Sequence, residues 1–309
     1  MSMEIMRTSR KAIPGFQKYS ANRRGRLMRI FMASPKWNAV LSGILFMCAG
    51  YSSYGAGVAG TSVLSVKGVK DSVQQEKVQL KPEFAPVREI VGGKKPLKWL
   101  FLGDSITMGS SATFGYRDYT QLFAEHVRME LGRKQDIVIN SGVSGDSTDR
   151  LLSGFDWRVK QFQPDVVFLM IGMNDCTIND PKRSVSQKDF RANLEKLVKL
   201  VREIPSCIMV LQTTCPMLPG SAPEREPHFE EYMNIVREVA KANDCPLVDH
   251  TKFWREAAKA NPAVHYYWMG HAFHPNQFGH RVLAELIFKE LDIFNPDDPK
   301  AHTCRFFHP

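Results

Sequence analysis

Lys98-Trp99-Leu100-Phe101-Leu102-Gly103-Asp104-Ser105 is an apolar run that ends on a Gly-Asp-Ser turn. No polar residue alternates with the apolar ones from Trp99 to Leu102, so a strand here is buried on both faces. The pattern recurs downstream. Ile137-Val138-Ile139 ends on Asn140-Ser141-Gly142, Val166 to Ile171 is wholly apolar between Pro164 and Gly172, Ile208 to Leu211 is a fourth run, and Pro246 to Asp249 is a short fifth. Helical spacing fills the gaps. Over 116–131, Tyr119, Leu122, Phe123, Val127 and Leu131 share a face ahead of Gly132. Further helices are expected over 147–162, after the capping box Ser186-Gln187-Lys188-Asp189 with Leu194, Leu197, Val198 and Val201 facing inward, and over 228–242, 251–260 and 277–291. Doubly buried strands alternating with amphipathic helices predict an α/β fold with a five-stranded parallel sheet covered on both faces. Chemistry then belongs in the crevice beyond the carboxyl ends of the strands.

The chain has 309 residues, 43% hydrophobic and 24% charged, with a net charge of +9. The charge is local. Residues 1–40 hold Arg7, Arg10, Lys11, Lys18, Arg23, Arg24, Arg26, Arg29 and Lys36 against Glu4, which leaves the rest of the chain near neutrality. A nucleic-acid partner is therefore not expected. The basic stretch, the apolar run from Ala39 to Cys48 and the small residues through Gly60 read as an export signal over 1–60, cleavable after Ala59. The apolar run is short of the ~20 residues of a spanning helix, so no stable membrane span is expected after cleavage. The protein is expected to be secreted or periplasmic; an uncleaved, membrane-anchoring signal is the alternative. Residues 61–95 read as a linker or loosely packed lead-in, 96–295 as the main domain and 296–309 as a tail.

Six cysteines without a Cys-x-x-Cys pair form neither a small-protein disulfide framework nor a structural zinc site. Cys207 and Cys245 each precede a strand and could be bridged if those strands are neighbours; free buried thiols are the alternative.

Four polar segments follow the strands or precede the last helix. They are Gly103-Asp104-Ser105, Asn140-Ser141-Gly142-Val143-Ser144-Gly145, Gly172-Met173-Asn174-Asp175 and His274-Pro275-Asn276. Acyl transfer needs a nucleophile, a base near neutrality and donors for the developing oxyanion. Serine, histidine, glycine N–H and asparagine amide supply that set. In order and spacing the four blocks resemble those of the SGNH (GDSL-type) hydrolases over about residues 96–293. The resemblance implies a three-layer α/β/α, flavodoxin-like fold and no metal or organic cofactor. It also implies Ser105 as nucleophile, His274 as base, and the Ser105 and Gly145 N–H groups with the Asn174 amide as oxyanion hole. One position departs from the family. An aspartate is usual three residues before the base, and His271 stands there, so the base-orienting position is uncertain. A Ser105–His274 dyad, or a carboxylate from elsewhere such as Asp249, are the alternatives.

Asp104 and Asp175 read as turn-bracing acceptors rather than acid–base groups. His265, His271, His274 and His280 lack metal-ligand spacing, and His280 reads as structural. Tyr266-Tyr267-Trp268 could stack on a sugar or pack a loop onto the core. The expected function is hydrolysis of a small-molecule or glycan ester, acetylated or otherwise acylated carbohydrate first. A lipid, lysophospholipid or thioester substrate is second, and a non-catalytic carbohydrate-binding protein on the same fold is the reading from another class.

Overall fold

The computed structural model describes residues 80–110 and 113–293. The chain divides into two units, residues 1–74 and 75–309, and all described residues belong to the second. The export signal expected over 1–60, the tail 296–309, Cys48 and Cys304 lie outside the described residues.

In chain order the described elements are α1 (Ala85–Gly92), β1 (Lys98–Gly103), α2 (Ser105–Met108), α3 (Tyr119–Glu125), β2 (Ile137–Gly142), α4 (Thr148–Ser153), α5 (Phe155–Arg158), β3 (Val166–Met170), α6 (Gln187–Arg202), β4 (Ile208–Thr213), α7 (Glu226–Ala242), β5 (Leu247–Asp249), α8 (His250–Ala260), α9 (Pro262–Trp268) and α10 (Gln277–Glu290). All strand pairs are parallel and the order is β2-β1-β3-β4-β5. This is the parallel α/β sheet that the apolar strands predict, in the flavodoxin-like order that the resemblance implies. Register sets Gly103 level with both Gly142 and Met170, so three strands end together. The order reverses between β1 and β3, which opens a crevice where their following turns diverge.

One face of the sheet carries an aromatic cluster. Trp99 meets Phe123 edge-on at 5.1 Å, Phe101 stacks on Phe168 at 4.8 Å, and Phe123 packs against Phe288 of α10 at 6.0 Å. Helix α6 turns Phe190, Leu194, Leu197, Val198 and Val201 inward, beside Met233, Val236 and Val239 of α7. Each buried side chain of this size contributes about 1.5–3 kcal/mol.

Several boundaries differ from the sequence expectation, each for a local reason. The expected 116–131 helix starts at Tyr119, where the Asp118 carboxylate caps the N–H groups of Thr120 and Gln121 in a complete capping box, and its last turn, His126–Glu130, is a π-turn. The 147–162 helix breaks at Gly154 into α4 and α5. The lead-in expected up to residue 95 carries helix α1 from Ala85, with Phe84 and Val87 fully buried. Helix α9 was not anticipated. Its Trp268 meets Trp254 edge-on at 4.9 Å and Tyr267 stacks on Phe278 at 4.6 Å, while Tyr266 and the outer face of Tyr267 stay exposed. The bridge between Cys207 and Cys245 is absent, and both are free thiols, as are Cys176 and Cys215. Strands β4 and β5 are neighbours, but pairing of Leu211 with Leu247 sets position 245 level with 209, two residues beyond Cys207.

No helix among the described residues is long and apolar enough to cross a membrane. Nor do three His, Cys, Asp or Glu side chains among them gather as a metal site.

Candidate active site

Ser105 is the first residue of α2, directly after β1. The Asp104 carboxylate accepts from the Ile106 N–H at 2.9 Å and so closes the turn that presents Ser105. Asn140 braces α2 from below. Its amide donates to the Thr107 carbonyl at 2.7 Å and to Thr120 Oγ1 at 3.0 Å, and its side-chain oxygen accepts the Gly142 N–H at 2.9 Å. Gly142 lies so close to this helix that a Cβ would sit 2.4 Å from the Met108 nitrogen.

The second turn reaches Gly145 with φ at +81°, a conformation suited to glycine. The N–H groups of Gly145 and Ser105 donate to no acceptor among the described residues. Beside Gly145, the buried Asp146 pairs with buried Arg158, which also donates to the carbonyls of Ser141 and Gly103, the latter at 3.2 Å. One guanidinium therefore ties together the ends of β1 and β2 and the turn beyond them. Asn174, in the turn after β3, donates to the Asp146 carbonyl at 2.9 Å and loosely to Asp104 Oδ2 at 3.5 Å. Those two contacts draw the first three polar segments onto one edge of the sheet.

His274 arrives from the loop ahead of α10. Its carbonyl accepts the N–H groups of Gly270 and His271, at 3.0 and 3.2 Å, which folds 270–274 into a tight turn. Asn276 anchors the exit by donating to the Tyr267 and Met269 carbonyls while capping α10. His274 Nε2 lies 2.8 Å from Ser105 Oγ. With the ring proton on Nδ1, the hydroxyl donates to Nε2. Burial, with His271 and Arg225 nearby, lowers the His274 pKa to about 4, so the imidazole is neutral across the physiological range.

The carboxylates have other work. Burial first, then the neighbouring Asp175 and Asp146, raises Asp104 to about 7. Burial likewise raises Asp175 to about 7. Its Oδ1 accepts from the Thr148 N–H at 2.8 Å and hydroxyl at 2.7 Å.

A family model described as the GDSL-like lipase/acylhydrolase family matches residues 101–282, well over half of the chain. The chain belongs to the GDSL-like lipase/acylhydrolase family. It is accordingly an ester hydrolase. An acetylxylan esterase of Geobacillus stearothermophilus is 27% identical over 214 residues, covering 63% of this chain and 93% of that one. An uncharacterized protein of Mycoplasma pneumoniae is 30% identical over 173 residues, 54% of this chain but 19% of its own length. Among solved structures, a variant of an acetyl-xylooligosaccharide esterase from Geobacillus shares the fold, with a TM-score of 0.56 and 24% identity over 66% of this chain and 98% of that chain.

The surroundings of the His274 ring hold no carboxylate partner at position 271. The His271 ring lies 5.6 Å from that of His274, centre to centre, and makes no hydrogen bond to it. Asp249, the alternative carboxylate, is committed elsewhere. It pairs with Arg237 at 2.8 Å, accepts the Thr213 hydroxyl at 2.9 Å and caps α8. Among the described residues no carboxylate hydrogen-bonds the His274 ring. His280 lies buried under α3, where its Nδ1 accepts the Tyr119 N–H at 3.3 Å. The sequence reading missed Arg158 and Arg225. Both are buried, and an arginine at a helix end carries no sign in the sequence that its guanidinium turns inward.

Proposed function

We propose that this hydrolase cleaves carboxylic esters by a Ser105–His274 dyad through an acyl-enzyme. The observation that carries it is the 2.8 Å contact between Ser105 Oγ and the neutral His274 ring. His274 takes the proton as Ser105 attacks the ester carbonyl, then passes it to the departing alcohol as the C–O bond breaks. Water, deprotonated by the same imidazole, releases the acid and frees Ser105. The Ser105 and Gly145 N–H groups and the Asn174 amide hold the oxyanion. Each such donor is worth about a hundred- to a thousandfold in kcat. Among the described residues the two N–H groups have no protein acceptor, and Asn174, while keeping its bond to the Asp146 carbonyl, has a 3.5 Å contact to Asp104 to give up.

For substrate, an O-acetylated carbohydrate is favoured by the acetylxylan esterase name of a relative. One feature supports the second reading, a longer acyl chain. Met108, Val143 and Ile178, on three of the site-forming segments, expose apolar surface. The basic and apolar N-terminal segment supports export.

The test is p-nitrophenyl acetate turnover by wild type and Ser105→Ala, with fluorophosphonate labelling. The substitution should cost at least about a thousandfold in kcat and abolish labelling. Equal turnover by both proteins would sink the reading. A chain-length series separates acetyl preference, which supports sugar, from long-chain preference, which supports lipid.

A further inference from the structure

Arg225 lies just ahead of α7 with its side chain 4% exposed. Its Nε donates to the Met173 carbonyl at 3.0 Å, one residue before Asn174. Its guanidinium carbon lies 4.2 Å from the centre of the Phe273 ring, one residue before His274. A second arm of the fork pairs with the half-exposed Glu224. One planar group thus touches the turn that carries the proposed oxyanion amide and the turn that carries the proposed base. A guanidinium that donates through Nε while its carbon sits over an aromatic ring holds two loops in one register. The backbone helps, because the Leu218 N–H donates to the Ala272 carbonyl at 2.8 Å from the loop that leads to Arg225.

We propose that Arg225 is the positioning residue of the base, clamping the Phe273-His274 turn to the Met173-Asn174 turn in place of a carboxylate at position 271. The inference rests on the Ser105–His274 reading. The groups that face the His274 ring are the Ser105 hydroxyl from α2, His271 from its own turn, Arg225 ahead of α7 and His280 from α10. With no carboxylate among them, the base is oriented through Phe273, and burial first, then His271 and Arg225, keep it neutral. An aspartate would instead stabilise the imidazolium.

The test compares kcat, KM and the pH profile on p-nitrophenyl acetate for wild type, Arg225→Met, Arg225→Lys and Phe273→Leu. Arg225→Met should lose at least about tenfold in kcat through misplaced reacting groups, with KM little changed. Its acidic limb should move up as the cation is removed, by a small part of the shift that burial sets. Arg225→Lys should restore the limb but not kcat. Phe273→Leu should lose kcat and leave the limb in place. Wild-type kcat and limb in Arg225→Met, or a loss confined to KM, overturns the proposal. If Arg225→Met does not fold, wild-type kcat in Phe273→Leu overturns it equally. Turnover that survives Ser105→Ala defeats the dyad itself. Serine-dependent turnover indifferent to Arg225 and Phe273 defeats this inference alone.

Discussion

At the scale of the residue, burial and the imidazole at position 271 set the protonation of His274. Burial and two cation-capable neighbours hold His274 at about 4, where an aspartate would stabilise the protonated ring. The rate-limiting protonation state is the neutral one, so kcat/KM should rise through about pH 4 and stay flat above it. His271→Asp puts an anion within reach of the ring. The acidic limb should then move up by at least about one pH unit, read from kcat/KM on p-nitrophenyl acetate between pH 3 and 8. An unmoved limb would mean that the side chain at 271 does not act on the base. Ser105, Gly145, Asn174 and His274 could be singled out as candidates because each stands on a turn after a strand or before a helix, in blocks that resemble those of the family. Arg158 and Arg225 were not, because their parts depend on which distant carbonyls end up beside them. The uncertainty over Asp249 was of the same kind: position after β5 suggested availability, and Arg237 on α7 removes it.

At the scale of the element, the site depends on how closely β2 is laid beneath α2. The Gly142 Cα faces the Thr107-Met108 backbone, and Asn140 on the same strand holds the Thr107 carbonyl. Gly142→Ala would place a methyl 2.4 Å from a backbone nitrogen, which cannot swing aside as a side-chain tip can. Such overpacking typically costs about 1–3 kcal/mol. Because the displaced element carries Ser105, thermal melting should fall and fluorophosphonate labelling should slow by a larger factor than the melting shift explains. Normal labelling at reduced stability would show that α2 absorbs the strain without moving Ser105. The strands were readable because burial on both faces leaves no polar alternation to confuse the signal. Helix ends were harder. Asp118, Gly154 and the π-turn at His126 set them through local capping and kinking that apolar periodicity does not report. Helix α1 docks through Phe84 and Val87, with Ile90 and Val91 packed behind them at helical spacing, a short apolar pattern that the polar stretch before it obscured.

At the scale of the molecule, buried titratable groups of opposite sense share the interior and shape stability against pH. Burial lowers His250 and His280 to about 3 from 6.5, so their contributions are full above pH 6.5 and are lost as pH falls towards 3. Burial raises Asp104 and Asp175 from 3.8 to about 7, so folding is favoured by their protonation below pH 3.8, and that advantage is lost as pH rises towards 7. Between about 4 and 6.5 the unfolded chain binds three more protons at His250, His274 and His280, with His265 lowered in the same sense, and two fewer at Asp104 and Asp175. The carboxylates offset the histidine slope only in part, and stability should rise gently with pH over that range. Below 3.8 the carboxylates no longer contribute a slope, the histidines still do, and Asp249, whose pKa is lowered against the unfolded value through Arg237 despite its burial, adds to the loss. Acid unfolding should therefore be steep below about pH 3.8. Asp175→Asn tests the balance at one group. The amide oxygen keeps the acceptor for Thr148 while one buried ionisation disappears. Relative to wild type, the variant should gain stability as pH rises from 3.8 to 7, by up to about 1.4 kcal/mol per pH unit for a single proton. Urea unfolding at pH 4, 5.5, 7 and 8 measures that difference. A difference independent of pH would mean that Asp175 is ionised in the folded protein throughout, and the rise of stability with pH would then be steeper.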